Sequence, residues 1–271
     1  MKYLAFALLT LAVSNSFSAV LSIAPQPSAA CEAYLKRVQT VSNEKTEPRP
    51  NEFPPDMFQF TLVPKQAEPK PSRPLIVEKD SPKSQQPFWR TKPGLMERME
   101  RDRQVLTSVM KSDAPNGEVK FDMKVAGIVS APRDFAFKTA QAYPRLKEVA
   151  ENFKTVHYKP EQNRLYLVMT ALGYQERMIL EMHPASGDGR DEIQFDVIWG
   201  NFKGMKGYIG FESFSLTKTE MSLIATYQSK TLPLPKILMG FALEVVTQKV
   251  AEKIRAFTES DYKQALKCGT L

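Results

Sequence analysis

Two histidines, two cysteines and two tryptophans are all that this 271-residue sequence holds of those types. Zinc sites recruit several His, Cys or carboxylate ligands at close spacing. Here His157 and His183 are 26 positions apart and Cys31 and Cys268 stand near opposite ends, so no metal site and no cofactor are expected. Glycine is scarce too, at 12 residues, and no phosphate loop emerges. Gly204, Gly207 and Gly210 follow one another at GxxGxxG spacing, but in a strand-like run with no helix after it. Glycines so placed read as bends in a sheet. GxSxG and HExxH are absent, and Gly187–Glu192 lacks the spaced acceptors of a calcium loop. The formal charge of +7 comes from scattered residues, not from a cluster that could track phosphates, which excludes nucleic acid as the expected partner. It remains compatible with transient contact with an anionic membrane surface.

Long apolar runs are equally rare. One lies at Leu4–Val13, behind Lys2 and ahead of Ser16 and Ser18 at cleavage-site spacing. It is too short to span a membrane and reads as a signal peptide over residues 1–18. The mature chain is therefore expected to be exported, periplasmic or secreted. In that setting an isolated cysteine pair predicts a Cys31–Cys268 disulfide. Lipidation at Cys31 is the poorer reading, because the residue lies far beyond the apolar run.

Proline is plentiful. Eleven of twenty fall between Pro48 and Pro93, which rules out a long helix or central strand there. With Phe53, Phe58, Phe60, Phe88 and Trp89, the stretch 43–93 is too apolar for a solvated spacer and reads as an extended arm lying on the domain. Residues 19–42 form an N-terminal segment carrying Cys31, and 263–271 a tail carrying Cys268. Leucines and methionines at 95, 96, 99, 106 and 110, with Val109, predict an amphipathic helix over 94–112. From Glu118, alternation at Val119, Phe121, Met123 and Val125 predicts a strand. Two short helices, six antiparallel strands separated by Gly, Asn, Asp and Pro turns, and one long helix complete the order.

Three stretches carry a family resemblance: VAGIVSAPRDFAFKTAQAYPRLKEV (Val125–Val149), EIQFDVIWGNFKGMKGYIGFESF (Glu192–Phe214) and VAEKIRAFTESDY (Val250–Tyr262). Together they are similar to the START-like helix-grip (SRPBCC) superfamily, nearest its coenzyme-Q-binding and polyketide-cyclase-like branch. The resemblance covers 118–262. It implies an α+β fold in which a curved antiparallel sheet of about seven strands wraps a long C-terminal helix, with a cavity between them for a lipid, quinone or other isoprenoid.

Strand alternation then nominates Phe195, Val197 and Trp199 on one strand, Phe211 on the next and Tyr227 on the last as ligand-facing. Leu238, Phe241, Ala242 and Val245 are their counterparts on the helix. Arg177 and Glu181 share a strand face; they are either a solvated pair or, were that face concave, an acid/base pair. Met178, Leu180 and Met182 form the more apolar face. Three functions stay open: an exported non-catalytic carrier of a hydrophobic small molecule, a cyclase or dehydratase, and an envelope interaction module with a filled core. In the first, the loop from Thr231 to Lys236 would gate the cavity.

Overall fold

The computed structural model describes residues 28–43, 87–171, 174–230 and 236–271. The expected signal peptide, residues 44–86 of the expected arm and residues 231–235 of the expected gate lie outside the described residues.

Fourteen elements follow in chain order: α1 (Ala29–Asn43), α2 (Phe88–Thr91), α3 (Leu95–Arg101), β1 (Leu106–Asp113), β2 (Val119–Val129), α4 (Arg133–Gln141), α5 (Leu146–Val149), β3 (Phe153–Lys159), β4 (Arg164–Ala171), β5 (Tyr174–Gly187), β6 (Arg190–Gly200), β7 (Lys206–Ser215), β8 (Lys218–Ser229) and α6 (Lys236–Lys267). The strands form one antiparallel sheet in the order β1-β2-β8-β7-β6-β5-β4-β3. Short turns join neighbours from β3 to β8. Strand β2 breaks sequence order by pairing with β8, Val119 opposite Ser229 and Val129 opposite Thr219.

The eighth strand is a correction. The helix expected over 94–112 stops at Arg101, and Leu106–Asp113 instead pairs with β2 along its whole length. Arg103 takes a left-handed backbone (φ 54°), and the Gln104 amide donates back to the Arg98 carbonyl, closing the helix. Arginine occupies the place where glycine usually signals a stop, so the leucine–methionine spacing ran on unopposed.

Strand β2 shows how alternation builds the core. Val119, Phe121, Met123 and Val125 point to one face and are buried against α4–α6 and neighbouring strands. Ala126 and Ile128 turn to the other face and meet Trp89 and Met99 of α2 and α3. Trp89 Nε1 donates to Glu220 Oε1 (2.9 Å), and Arg90 Nη2 bridges Glu220 (2.8 Å) and Glu212 (2.8 Å). These bonds fix α2 to the outer face of the sheet.

The inner face holds α6, which packs on β1 and β2 and meets α4, α5 and α1. Cys31 of α1 is disulfide-bonded to Cys268 just beyond α6, as the sequence predicts. The strand glycines differ from expectation. Gly204 sits in the β6–β7 turn with φ 92°. Gly207 lies in an unbroken ladder opposite Ala225, where a Cβ would come within 2.4 Å of the Ile224 carbonyl oxygen. Close approach between β7 and β8, not a bulge, requires that glycine. Among the described residues no helix is long and apolar enough to cross a membrane.

Candidate functional site

Between the inner face of the sheet and the middle of α6 lies a cavity of about 340 Å³. Strands β4 and β5 supply Leu165, Leu167 and Met169, then Met178, Leu180 and Met182, each triplet at the two-residue spacing that puts side chains on one face. Phe195 continues that surface on β6, and Val125, Ile209 and Leu223 line it from β2, β7 and β8. Tyr143, Leu146 and Val149 close one side from the turn into α5. From α6 come Val246, Val250, Ile254 and Phe257, a stripe at four- and three-residue steps that stays on one helix face.

Of the nine residues expected to face a ligand, Phe195 lines this cavity. Val197, Phe211 and Tyr227 point inward but are buried in packed core: Phe211 against Phe137 (ring centroids 5.4 Å apart) and Tyr227 against Phe202 (5.5 Å), with the Tyr227 hydroxyl donating to the Asn201 carbonyl (3.0 Å). Trp199 faces the other way. The β5–β6 register shifts between Ile179 and Leu180, so that Leu180 opposes Val197 while Ile179 opposes Trp199. Ile198 is the extra residue. It reverses the alternation, and Trp199 joins Tyr166, Val168 and Ile179 on the outer face.

The helical prediction is shifted along α6. Phe241 is 65% exposed. It stands nine residues before Val250, which at about 100° per residue places it on the opposite side of the helix. Ala242 is buried and Val245 half-buried, but neither lines the cavity. Leu238 is outside the residues whose side chains are described. Arg177 and Glu181 do share the outer side of β5 and do not pair with each other: Glu181 accepts from Arg164 of β4 (3.2 Å), and Arg177 donates to Gln175.

Sequence reasoning missed the polar part of the lining. Arg145 lies between the cavity and the end of α6, donating to both oxygens of Asp261 (2.7 and 2.8 Å) with its guanidinium 4.7 Å over the Phe257 ring. Burial alone would lower its pKa, but the bonds to Asp261 and Glu148 outweigh that and hold it above the ordinary arginine value. Thr247 and Thr258 turn their hydroxyls back to the Leu243 and Ile254 carbonyls of their own helix. The Tyr143 hydroxyl is buried and has no hydrogen-bond partner among the described residues; burial, with Tyr158 adding to it, pushes that phenol well above its usual pKa. Arg255 Nη1 donates to the Arg103 carbonyl (2.5 Å), and burial, then repulsion from Arg103, lowers its pKa. Reading Val246, Val250 and Ile254 as one stripe would have found the correct helix face. Nothing in sequence spacing marks Tyr143 or Arg255 as its neighbours.

No family model and no curated protein matches the chain. Solved structures do. A START superfamily protein from Mycobacterium smegmatis is 11% identical over 51% of this chain and 97% of its own, with a TM-score of 0.45. The Zhui aromatase/cyclase from Streptomyces sp. R1128 is 11% identical, covering 54% of this chain and 96% of its own, at 0.46. A STAR-related lipid transfer protein from Xanthomonas axonopodis is 11% identical, covering 55% and 98%, at 0.41. The START-like helix-grip fold of this chain rests on its own topology: a strand, two short helices, six antiparallel strands whose last pairs with that first one, and a long C-terminal helix held on the sheet's inner face.

Proposed function

We propose that this protein is an exported, non-catalytic binding or transport protein for a hydrophobic small molecule (a lipid, quinone or other isoprenoid) held between the sheet and the C-terminal helix. The observation that carries the reading is the cavity itself: about 340 Å³ with a predominantly apolar lining, mainly of Leu, Ile, Val, Met, Phe and Ala. Protein interiors are close-packed, and a void of this size forgoes the contacts that filling it would supply. A ligand restores them, with burial of its apolar surface contributing about 25 cal/mol per Å² before the costs of association. Arg145, Thr247 and Thr258 of the lining spend their polar groups on the protein itself, which favours holding a molecule over transforming it. The Cys31–Cys268 disulfide supports an oxidising compartment and hence export.

Native mass spectrometry of residues 19–271, purified from the natural host without detergent and followed by organic extraction, tests this. A stoichiometric extra mass that extracts as an apolar compound is expected. A protein that arrives empty and takes up no apolar compound in solution would refute the reading.

A further inference from the structure

Among the described residues, Arg255 is the charged group in the cavity lining that has no ion pair. Arg145, the other arginine there, is locked to Asp261. Arg103, next to Arg255, pairs with Glu259, and Glu259 also accepts from the Ser130 amide (2.9 Å). Arg255 makes one hydrogen bond, to a backbone carbonyl, and is half-buried. A guanidinium carries five N–H donors in a fork that fits a carboxylate or phosphate. Leaving one partly desolvated beside apolar side chains, attracted by Glu259 and Glu252 but in an ion pair with neither, costs stability. An incoming oxyanion would reverse that. Arg255 also stands on the β1 side of the cavity, close to the half-exposed Arg103, so a headgroup there would keep contact with water.

Volume narrows the choice. Pockets for small molecules run from about 300 to 1,000 Å³. At about 340 Å³ this cavity is at the lower end, suited to one chain and not to a two-chain lipid.

We propose that the ligand is a single-chain anionic amphiphile, its hydrocarbon chain among the apolar side chains between Met178 and Ile254 and its carboxylate or phosphate on Arg255. This rests on the binding reading above and names the chemistry of the ligand.

Calorimetric titration with dodecanoate, dodecyl phosphate and 1-dodecanol, below their micelle-forming concentrations, tests it in the wild type, Arg255→Gln and Arg255→Lys. The wild type should hold at least one of the anions about tenfold or more tighter than the alcohol, as expected of a charge-assisted hydrogen bond. Arg255→Gln should remove that advantage and leave 1-dodecanol within about twofold, while Arg255→Lys should retain part of it. Whichever anion shows the Arg255 dependence identifies the headgroup. If the wild type binds the alcohol as tightly as both anions, this inference is wrong and the binding reading stands; that comparison requires no variant to fold. If Arg255→Gln weakens all three equally, or none, the inference is likewise wrong. If none of the three binds, the binding reading falls and this inference with it.

Discussion

Tyr143 sits in the cavity wall with its ring 4.6 Å from that of Tyr158 and its hydroxyl buried without a partner among the described residues. An unsatisfied buried hydroxyl costs about 1–3 kcal/mol. Tyr143→Phe keeps the ring and removes that cost, so the urea midpoint of unfolding should rise. A fall would mean that the hydroxyl is bonded in solution, to a water or a ligand. The same phenol sets an alkaline limit. Burial raises the pKa of Tyr143, and of Tyr158, where Glu161 adds to the effect. In the unfolded chain both ionise near pH 10, while in the folded chain both stay protonated. Their contribution is present below about pH 10 and is lost as pH rises through the folded values, because the unfolded state then binds fewer protons. Stability measured from pH 8 to 11.5 should therefore decline above about pH 10, less steeply in Tyr143→Phe. Arg145 and Asp261 make the opposite case: each side chain is 5% exposed, and each is the other's bidentate partner. Asp261→Asn breaks the bidentate pair and leaves the buried guanidinium with the longer contact to Glu148 (3.2 Å), and about 3 kcal/mol of unfolding free energy should be lost in the same urea experiment.

At the scale of the element, α6 separates the two halves of its own sequence. Met239 and Ala242 are buried, Phe241 is exposed, and the cavity stripe starts at Val246. Phe241→Asp should leave ligand binding intact and stability within about 0.5 kcal/mol, the ordinary range for an exposed position. Val250→Asp should abolish binding of any apolar probe. Ala251→Phe, which places a ring in the cavity, should weaken binding without lowering the melting temperature. Phe241→Asp and Val250→Asp, compared by one binding titration, separate the observed helix face from the one that alternation suggested. The element order of the grip was legible because it depends on periodicity: β2 alternates from Val119 to Val125, β5 places Met178, Leu180 and Met182 inward as read, and α6 is a long helix. Two local events were not legible. Arg103 ends α3 through a left-handed backbone that glycine would have announced, and Ile198 inserts one residue into β6 and turns Trp199 outward. Both are single-residue departures from a period, one in the backbone conformation that ends a helix and one in the register of a strand pair. The cavity's position on α6 was invisible for a related reason. Apolar residues surround the first half of the helix, and sequence does not tell which of them meet packed core.

For the molecule as a whole, the link that matters is the one between its ends. Cys31 and Cys268 are 237 positions apart, with Cα atoms 5.4 Å apart, and the bond joins α1 to the end of α6. Around it Arg37 approaches Glu148 (3.6 Å) and Asp261 (3.8 Å), so α1 rests on the charge cluster that also holds Arg145. Arg37 is half exposed, and ion pairs of that kind contribute little. Tyr34 is buried beside them and hydrogen-bonds Asp261, so packing and the covalent bond share the anchoring. Closing so long a loop restricts the unfolded chain by about 5 kcal/mol in the chain-entropy model. For a domain of this size that corresponds to a melting temperature lower by roughly 10 °C or more in the absence of the bond. Differential scanning calorimetry with and without reductant, and of Cys31→Ser, should show that drop in both cases. The Asp261→Asn loss should persist in Cys31→Ser, because Arg145 and Asp261 belong to the grip and not to α1. A shift of only 1–2 °C on reduction would instead mean that the noncovalent seating of α1 holds the ends together.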